Sequence, residues 1–89
     1  MLRKKITIIN RLGLHARAAA KFVKLANRFN ASVKIKKDGV EIDGKSILGI
    51  LTLAAVQGTE VLLTIAGKDE KDAMKALVFL IENRFEEEE

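Results

Sequence analysis

The sequence predicts an α+β fold in which an antiparallel sheet is covered on one face by helices. Stretches with the alternation or β-branched content typical of strands occur four times, and three amphipathic stretches have helical spacing. Their order is strand, helix, strand, strand, helix, strand, helix, which suits a two-layer open-faced sandwich, βαββαβα, with three helices on a four-stranded sheet. At 89 residues, we expect residues 1–89 to form a single small domain.

The first part of the chain contains a strand, a helix and the only histidine. Residues 4–9 alternate and are largely β-branched, which predicts a strand, and residues 16–29 have helical spacing without a breaker. His15 therefore lies at a strand–loop–helix junction, at or beside the helix N-cap, and Gly13 lets the loop adopt a conformation that other residues avoid. The residues expected on the core side of this helix are Ala19, Phe22, Ala26 and Phe29.

The position of His15 has chemical consequences. The first N–H groups of a helix lack partners, and the macrodipole places partial positive charge there. Both effects disfavour an imidazolium and favour a bound anion. Arg17 adds a guanidinium group suited to phosphate oxygens. These residues favour a histidine that accepts and donates a phosphoryl group, while a surface histidine that serves as a helix cap remains the alternative.

The middle of the chain predicts a hairpin followed by a short capped helix. Lys37-Asp38-Gly39-Val40 is a two-residue hairpin signal, and the apolar residues of its two strands are expected to share one buried face: Val33, Ile35, Val40 and Ile42. Ser46 stands where a capping serine belongs, ahead of a helix over residues 47–53. Three apolar residues of so short a helix cannot all face inward: Ile47, Leu48 and Leu51.

The last part predicts a strand over residues 60–66 and a final helix that Asp69 can cap. The core stripe of that helix is expected to consist of Ala73, Leu77, Leu80 and Ile81. The acidic run over residues 86–89 lies at the unfavourable end of the helix dipole, so we expect a frayed tail there.

Composition excludes several classes of protein. The chain has no cysteine and one histidine, so we expect no disulfide, no metal site and no cofactor. The longest apolar run is far too short to cross a bilayer, and no cleavage site follows the basic N-terminus, so we expect a cytoplasmic protein. Residues 1–45 hold 12 Lys and Arg against 3 Asp and Glu, which leaves a small basic nucleic-acid-binding module as an alternative. The absence of Tyr and Trp argues against that alternative, because single strands then lack stacking platforms.

Four basic residues recur at helical spacing after His15: Arg17, Lys21, Lys24 and Arg28. A row of this kind is often an ordinary solvated face. Because it begins beside His15, we expect it to form a docking surface for acidic partners.

Two segments resemble a known family. Gly13-Leu14-His15-Ala16-Arg17 resembles the phosphohistidine signature of HPr, the phosphocarrier of the bacterial phosphoenolpyruvate-dependent phosphotransferase system. The segment from Gly44 to Leu51 resembles the regulatory-serine segment of that family. The separation of the two segments and the length also fit, so the resemblance covers essentially the whole chain.

The resemblance implies the sheet order 1-4-2-3 and a monomeric phosphoryl carrier rather than an enzyme. It implies that phosphorylated enzyme I transfers its phosphoryl group to the δ1 nitrogen of His15, which passes the group to IIA domains in sugar uptake. Arg17 and the backbone N–H groups of Ala16 and Arg17 would steady the phosphate. The residues expected to contact enzyme I and the IIA domains are Ala20, Lys21, Lys24, Ile47, Leu48 and Leu51. A regulatory relay without sugar transport remains the alternative within the family.

The resemblance also implies that Ser46 is a target of HPr kinase/phosphorylase in lineages that possess it. A phosphate there adds roughly −1.5 to −2 charges and, near His15, would oppose a second phosphate. One departure stands out, because the family usually has proline where this chain has Ala18. Alanine is a good helix former and restores an N–H donor, so we expect the helix to survive.

Overall fold

An antiparallel sheet of four strands forms one layer of the protein and three helices form the other. This is seen in a computed structural model, which describes residues 1–87. The elements are β1 (Leu2–Thr7), α1 (Ala16–Ala26), β2 (Ser32–Lys37), β3 (Val40–Asp43), α2 (Ile47–Leu53), β4 (Glu60–Ala66) and α3 (Glu70–Glu82). The strand order β1-β4-β2-β3 confirms both the βαββαβα layout and the expected order 1-4-2-3.

Alternation along the strands places the core between the sheet and the helices. In the central pair, Ile35 of β2 lies opposite Leu63 of β4, and both side chains are buried. Their neighbours Lys34 and Lys36 point to the opposite face, which is exposed. From the helices, the expected stripe of α3 is buried against this sheet, as is Phe22 of α1. Along the described chain, none of the helices has the length and apolar character that crossing a bilayer would require.

The hairpin between β2 and β3 forms where its sequence signal lies. Asp38 and Gly39 both have positive φ, +49° and +82°, as the mirror-image turns of two-residue hairpins require. Lys37 pairs with Val40 across the turn. The expected burial of Val40 is wrong, because this side chain is 53% exposed at the tip of the edge strand, whereas Ile42 is partly buried against the core.

Helix α1 keeps its continuity but ends earlier than its apolar spacing predicts. Ala18 is fully buried within an unbroken helix, so the helix survives the alanine that replaces the usual proline. The helix ends at Ala26, and the next backbone bonds, Arg28 N–H to Leu25 O at 3.0 Å and Phe29 N–H to Ala26 O at 3.1 Å, form tighter turns. Phe29 still packs against the core from outside the helix.

Asp69 lies at the N-cap position of α3, but its side chain makes no capping hydrogen bond, so the predicted capping role is wrong. Its two carboxylate oxygens instead accept hydrogen bonds from the backbone N–H groups of Asn30 and Ala31, each at 2.8 Å. These bonds, led by the one from Asn30, lower the pKa of the Asp69 carboxyl. The carboxylate therefore joins the start of α3 to the connection between α1 and β2.

Candidate functional site

The loop between β1 and α1 is held against the segment that leads from α2 to β4. Leu14 N–H donates to the carbonyl of Ala55 at 2.9 Å, and Gly58 N–H donates to the carbonyl of Ile8 at 2.7 Å. Gly13 has φ +68°, and a Cβ atom there would lie only 2.5 Å from the Ala55 carbonyl oxygen. The loop that presents His15 thus has one tightly defined backbone path, which glycine alone can follow without strain.

His15 occupies the N-cap of α1, as the sequence predicts. Its backbone is extended, with φ −79° and ψ 178°, and its carbonyl accepts from Ala19 N–H at 2.8 Å. The N–H groups of Ala16 and Arg17 belong to the first turn, so they have no acceptor within the helix and are suited to hold an anion. Arg17 is exposed immediately beside them.

The imidazole of His15 is engaged by the C-terminal end of the described chain. The ring makes no capping hydrogen bond, so the alternative of a simple helix cap does not describe what it does. Instead, His15 Nε2 contacts Glu87 Oε2. The other oxygen, Glu87 Oε1, accepts from Nδ2 of Asn10 at 3.0 Å. Asn10 is fully buried and its Nδ2 also donates to the carbonyl of Gly13 at 2.7 Å, so the side chain joins Glu87 to the His15 loop.

The surroundings of Glu87 favour its ionised form. Burial raises the pKa of this carboxyl, but the hydrogen bonds from Asn10 and His15, together with the positive charge of Lys21, outweigh burial and hold the pKa below its ordinary value. A carboxylate therefore faces the ring at neutral pH.

A turn over Arg84–Glu86, which we call the C-terminal turn, brings Glu87 to the imidazole ring of His15. Its three residues have φ of +55°, +53° and +65°, a region that non-glycine residues enter at a cost of about 1–2 kcal/mol each. Burial of Phe85 offsets part of this cost, since the side chain is fully enclosed in the core. Lys21 Nζ also donates to the Phe85 carbonyl at 2.8 Å. Of the acidic run expected to fray, the structure describes Glu86 and Glu87, which make these contacts, while Glu88 and Glu89 lie outside the described residues.

Helix α2 presents the apolar residues that were expected to stay outside the core. Ile50 and Leu53 are buried, whereas the exposed residues form what we call the α2 patch: Ile47, Leu48 and Leu51. Leu48 is the most open of them at 77% exposure. Ser46 is the N-cap, and its Oγ accepts from Gly49 N–H at 3.0 Å, which confirms the predicted capping bond.

Ser46 lies at the opposite end of α2 from His15. Lys45, next to it, donates through Nζ to the carbonyl of Phe29 beyond the C-terminal end of α1, at 2.7 Å. The other end of α2 leads to Ala55, which binds the His15 loop. The two helices are therefore antiparallel, and a seven-residue helix of about 10 Å separates the serine from the histidine region. The expectation that a phosphate on Ser46 would lie near His15 stays a prediction, with about one helix length between Ser46 and the segment that binds the His15 loop.

The basic residues of α1 differ in how far they are exposed to solvent. Lys21, Lys24 and Arg28 line a groove between α1 and α3, together with apolar side chains that include Phe79. Lys21 is partly buried there by its bond to the C-terminal turn. Lys24 remains exposed, as do Arg17 and Ala20, so these predicted contact residues are accessible on the outer side of α1.

Asn10 and Glu87 were missed by the reasoning from sequence. They lie 77 residues apart, and Glu87 stands within a run of four glutamates that reads as a solvated tail. One signal was available. Phe85 follows Leu77 and Ile81 at intervals of four, so an apolar anchor was visible just ahead of Glu87.

Comparisons with known proteins agree on one family. A family model described as "PTS HPr component phosphorylation site" matches residues 2–83. The chain is similar to the phosphocarrier protein HPr of Cupriavidus necator, with 52% identity over the full length of both proteins. The crystal structure of HPr-C-His from Thermoanaerobacter tengcongensis has a TM-score of 0.96 and 46% identity, and covers both chains completely. The HPr dimer from the same organism has a TM-score of 0.79 and covers 98% of this chain and 100% of its own.

Proposed function

The chain belongs to the HPr family of phosphocarriers of the phosphotransferase system, and on that premise we propose that His15 accepts a phosphoryl group from phosphorylated enzyme I and donates it to IIA domains in sugar uptake. The observation that carries the proposal is the position of His15 at the N-cap of α1, beside the N–H groups of Ala16 and Arg17, which have no acceptor within the helix. Membership of this family favours a cytoplasmic carrier over the nucleic-acid-binding alternative.

The proposed transfer uses a ring nitrogen as nucleophile. The lone pair of His15 Nδ1 forms a bond to phosphorus while the bond between phosphorus and its carrier atom on enzyme I breaks. The first-turn N–H groups and the Arg17 guanidinium face the charge on the phosphoryl oxygens. Donation to a IIA domain is the same displacement with His15 as the leaving group. The protein is thus regenerated unchanged and acts as an intermediate in a relay rather than as an enzyme with its own substrate.

We propose that the α2 patch, Ala20 and the cations Arg17, Lys21 and Lys24 form the docking surface for enzyme I and IIA domains. An exposed apolar patch on α2, together with the exposed cations Arg17 and Lys24 and the partly buried Lys21 on α1, suits partners with an apolar contact surrounded by acidic groups. Phosphorylation of Ser46 by HPr kinase/phosphorylase would place about −1.5 to −2 charges directly before Ile47 and Leu48. At about one helix length from His15, this phosphate would act on partner docking more than on the ring.

The carrier role is tested by intact-mass measurement after incubation with phosphoenolpyruvate and the cognate enzyme I. The wild-type chain is expected to gain one acid-labile phosphate, and His15→Ala none, while Ser46→Ala should gain it as the wild type does. Adding a IIA domain should then remove the phosphate from the carrier. An unmodified wild-type chain beside a fully phosphorylated enzyme I contradicts the proposal. A monomer by light scattering is expected throughout.

The docking surface is tested by a matched pair of substitutions at exposed apolar residues. Leu48 and Val40 are 77% and 53% exposed, so neither Leu48→Ala nor Val40→Ala removes core packing, and Val40 lies on the edge strand β3 outside the proposed surface. Leu48→Ala is expected to weaken binding to enzyme I by roughly tenfold, the size of an interface hot spot, and Val40→Ala to leave it within about twofold. Equal affinities for the two variants would place the docking surface elsewhere.

A further inference from the structure

The Glu87 carboxylate contacts Nε2 of the His15 imidazole, which is the ring nitrogen that the proposed transfer does not use. Its Oε2 contacts His15 Nε2 and its Oε1 accepts from Asn10, so each oxygen has its own partner. We propose that Glu87 is a positioning residue that keeps the proton of the imidazole on Nε2 and thereby presents Nδ1 as the phosphoryl acceptor. This inference rests on the proposed function, because it specifies how the same histidine is prepared for transfer.

The choice of nitrogen follows from what a carboxylate can do. An ionised carboxylate only accepts hydrogen bonds, and its surroundings lower the pKa of Glu87 below its ordinary value. A neutral imidazole has one donor nitrogen and one acceptor nitrogen. Since Nε2 faces Glu87, a neutral ring satisfies this contact only with the proton on Nε2. The lone pair then lies on Nδ1.

The same contact stabilises the ring during transfer. When Nδ1 bonds to phosphorus and the bond to the donor atom breaks, the ring keeps the Nε2 proton and gains positive charge. The Glu87 carboxylate lies against that proton and offsets the charge, as the buried carboxylate does in a Ser-His-Asp triad. No proton has to leave the site. On donation, the electron pair of the N–P bond returns to Nδ1 and the ring is again neutral and protonated on Nε2.

Three contacts hold Glu87 in place. Asn10 is fully buried and bonds both Glu87 and the Gly13 carbonyl, so the carboxylate and the His15 loop share one anchor. Phe85 is fully buried two residues before Glu87. Lys21 Nζ binds the Phe85 carbonyl at 2.8 Å, which holds the turn that leads to Glu87. A free acidic tail would need none of these contacts, and the turn that makes them has positive φ at three successive residues.

The tautomer is measured directly by nitrogen NMR of the His15 ring, at a pH where the imidazole is neutral. The chain has one histidine, so the ring signals are unambiguous. In the wild type we expect a protonated Nε2 and an unprotonated Nδ1. Glu87→Ala should shift both ring nitrogens toward the averaged values of two exchanging tautomers. The matched control is Glu86→Ala, since Glu86 is an exposed neighbour that does not touch the ring, and it should resemble the wild type.

Glu87→Gln separates the charge from the hydrogen bond, because an amide oxygen still accepts from Nε2–H but carries no charge. In the transfer assay, we expect the rate of phosphorylation by enzyme I to fall roughly tenfold in Glu87→Ala and several-fold in Glu87→Gln, with Glu86→Ala within about twofold. Unchanged ring signals in Glu87→Ala overturn the inference, and so do equal transfer rates in Glu87→Ala and Glu86→Ala. If the wild type accepts no phosphate, the carrier proposal fails, while the ring signals still decide whether Glu87 sets the tautomer.

Discussion

Gly13→Ala should destabilise the protein through the loop that presents His15. The glycine has φ +68°, and an added Cβ would lie 2.5 Å from the Ala55 carbonyl oxygen and 2.9 Å from Val56 Cα, both backbone atoms. Backbone cannot rotate away as a flexible side chain can, so the loop itself has to move. Gly58→Ala is the matched control, because Gly58 has φ +89° but open space around its Cβ position.

The two substitutions share one cost and differ in another. An alanine with positive φ costs about 1–2 kcal/mol relative to glycine at either position. Only Gly13→Ala also displaces the Ala55 carbonyl, which accepts the Leu14 N–H at 2.9 Å, and losing that bond costs roughly another 1 kcal/mol. We therefore expect a loss of about 2–3 kcal/mol for Gly13→Ala and about 1–2 kcal/mol for Gly58→Ala.

Urea and thermal denaturation measure this difference. At about 4–8 °C per kcal/mol for a domain of this size, Gly13→Ala should melt at least several degrees below Gly58→Ala. It should also accept phosphate from enzyme I more slowly, because the displaced loop carries His15. Equal losses of stability in the two variants would refute the argument that close backbone approach, in addition to positive φ, requires glycine at residue 13.

Three further predictions concern stability and are checked by denaturation. Phe85→Ala should lose about 3–5 kcal/mol because the side chain is fully buried, whereas Phe79→Ala should stay within about 0.5 kcal/mol; equal losses would show that the C-terminal turn is not anchored. Ser46→Ala should lose about 1 kcal/mol with its capping bond, and Ser46→Asp should retain most of that stability, since both Ser and Asp cap helices. The pKa of the Asp69 carboxyl is lower in the folded protein than in the unfolded chain. Its ionised form therefore stabilises the fold fully at pH values above the unfolded pKa, and this contribution is lost as the pH falls through the folded pKa. Asp69→Asn should thus be less stable than the wild type at pH ~7 and nearly equal to it at strongly acid pH, below both pKa values, and a difference that grows toward acid pH would contradict this.

The fold could be predicted largely because its determinants are local. Alternation over residues 60–66 matches the observed β4, and Asp38-Gly39 supplies the two positive φ values that the hairpin needs. The misses have tertiary causes. Val40 has the right period for burial, but it lies at the tip of the edge strand. Asp69 has a good capping residue type, but the N–H groups of another connection bind its side chain instead.

The candidate site, like the fold, could be predicted where its determinants are local and not where they are tertiary. The N-cap position of His15 and the exposure of the α2 patch follow from local spacing, which the sequence shows directly. The contact between His15 and Glu87 joins residues 72 apart through a left-handed turn that contains no glycine. Asn83 precedes the turn and is a residue type common in turns, but Arg84–Glu86 contain no glycine or asparagine, which adopt positive φ most readily, so the sequence did not indicate a left-handed turn there.

The most direct test of the account is to locate the phosphate on the phosphorylated protein. Nitrogen-15-labelled protein, phosphorylated by enzyme I and phosphoenolpyruvate, should show a one-bond nitrogen–phosphorus coupling on Nδ1 of His15, with the proton still on Nε2. A phosphate on Nε2 would contradict the role of Glu87, since that nitrogen could not then donate to its carboxylate. A phosphate on any residue other than His15 would contradict the carrier mechanism itself.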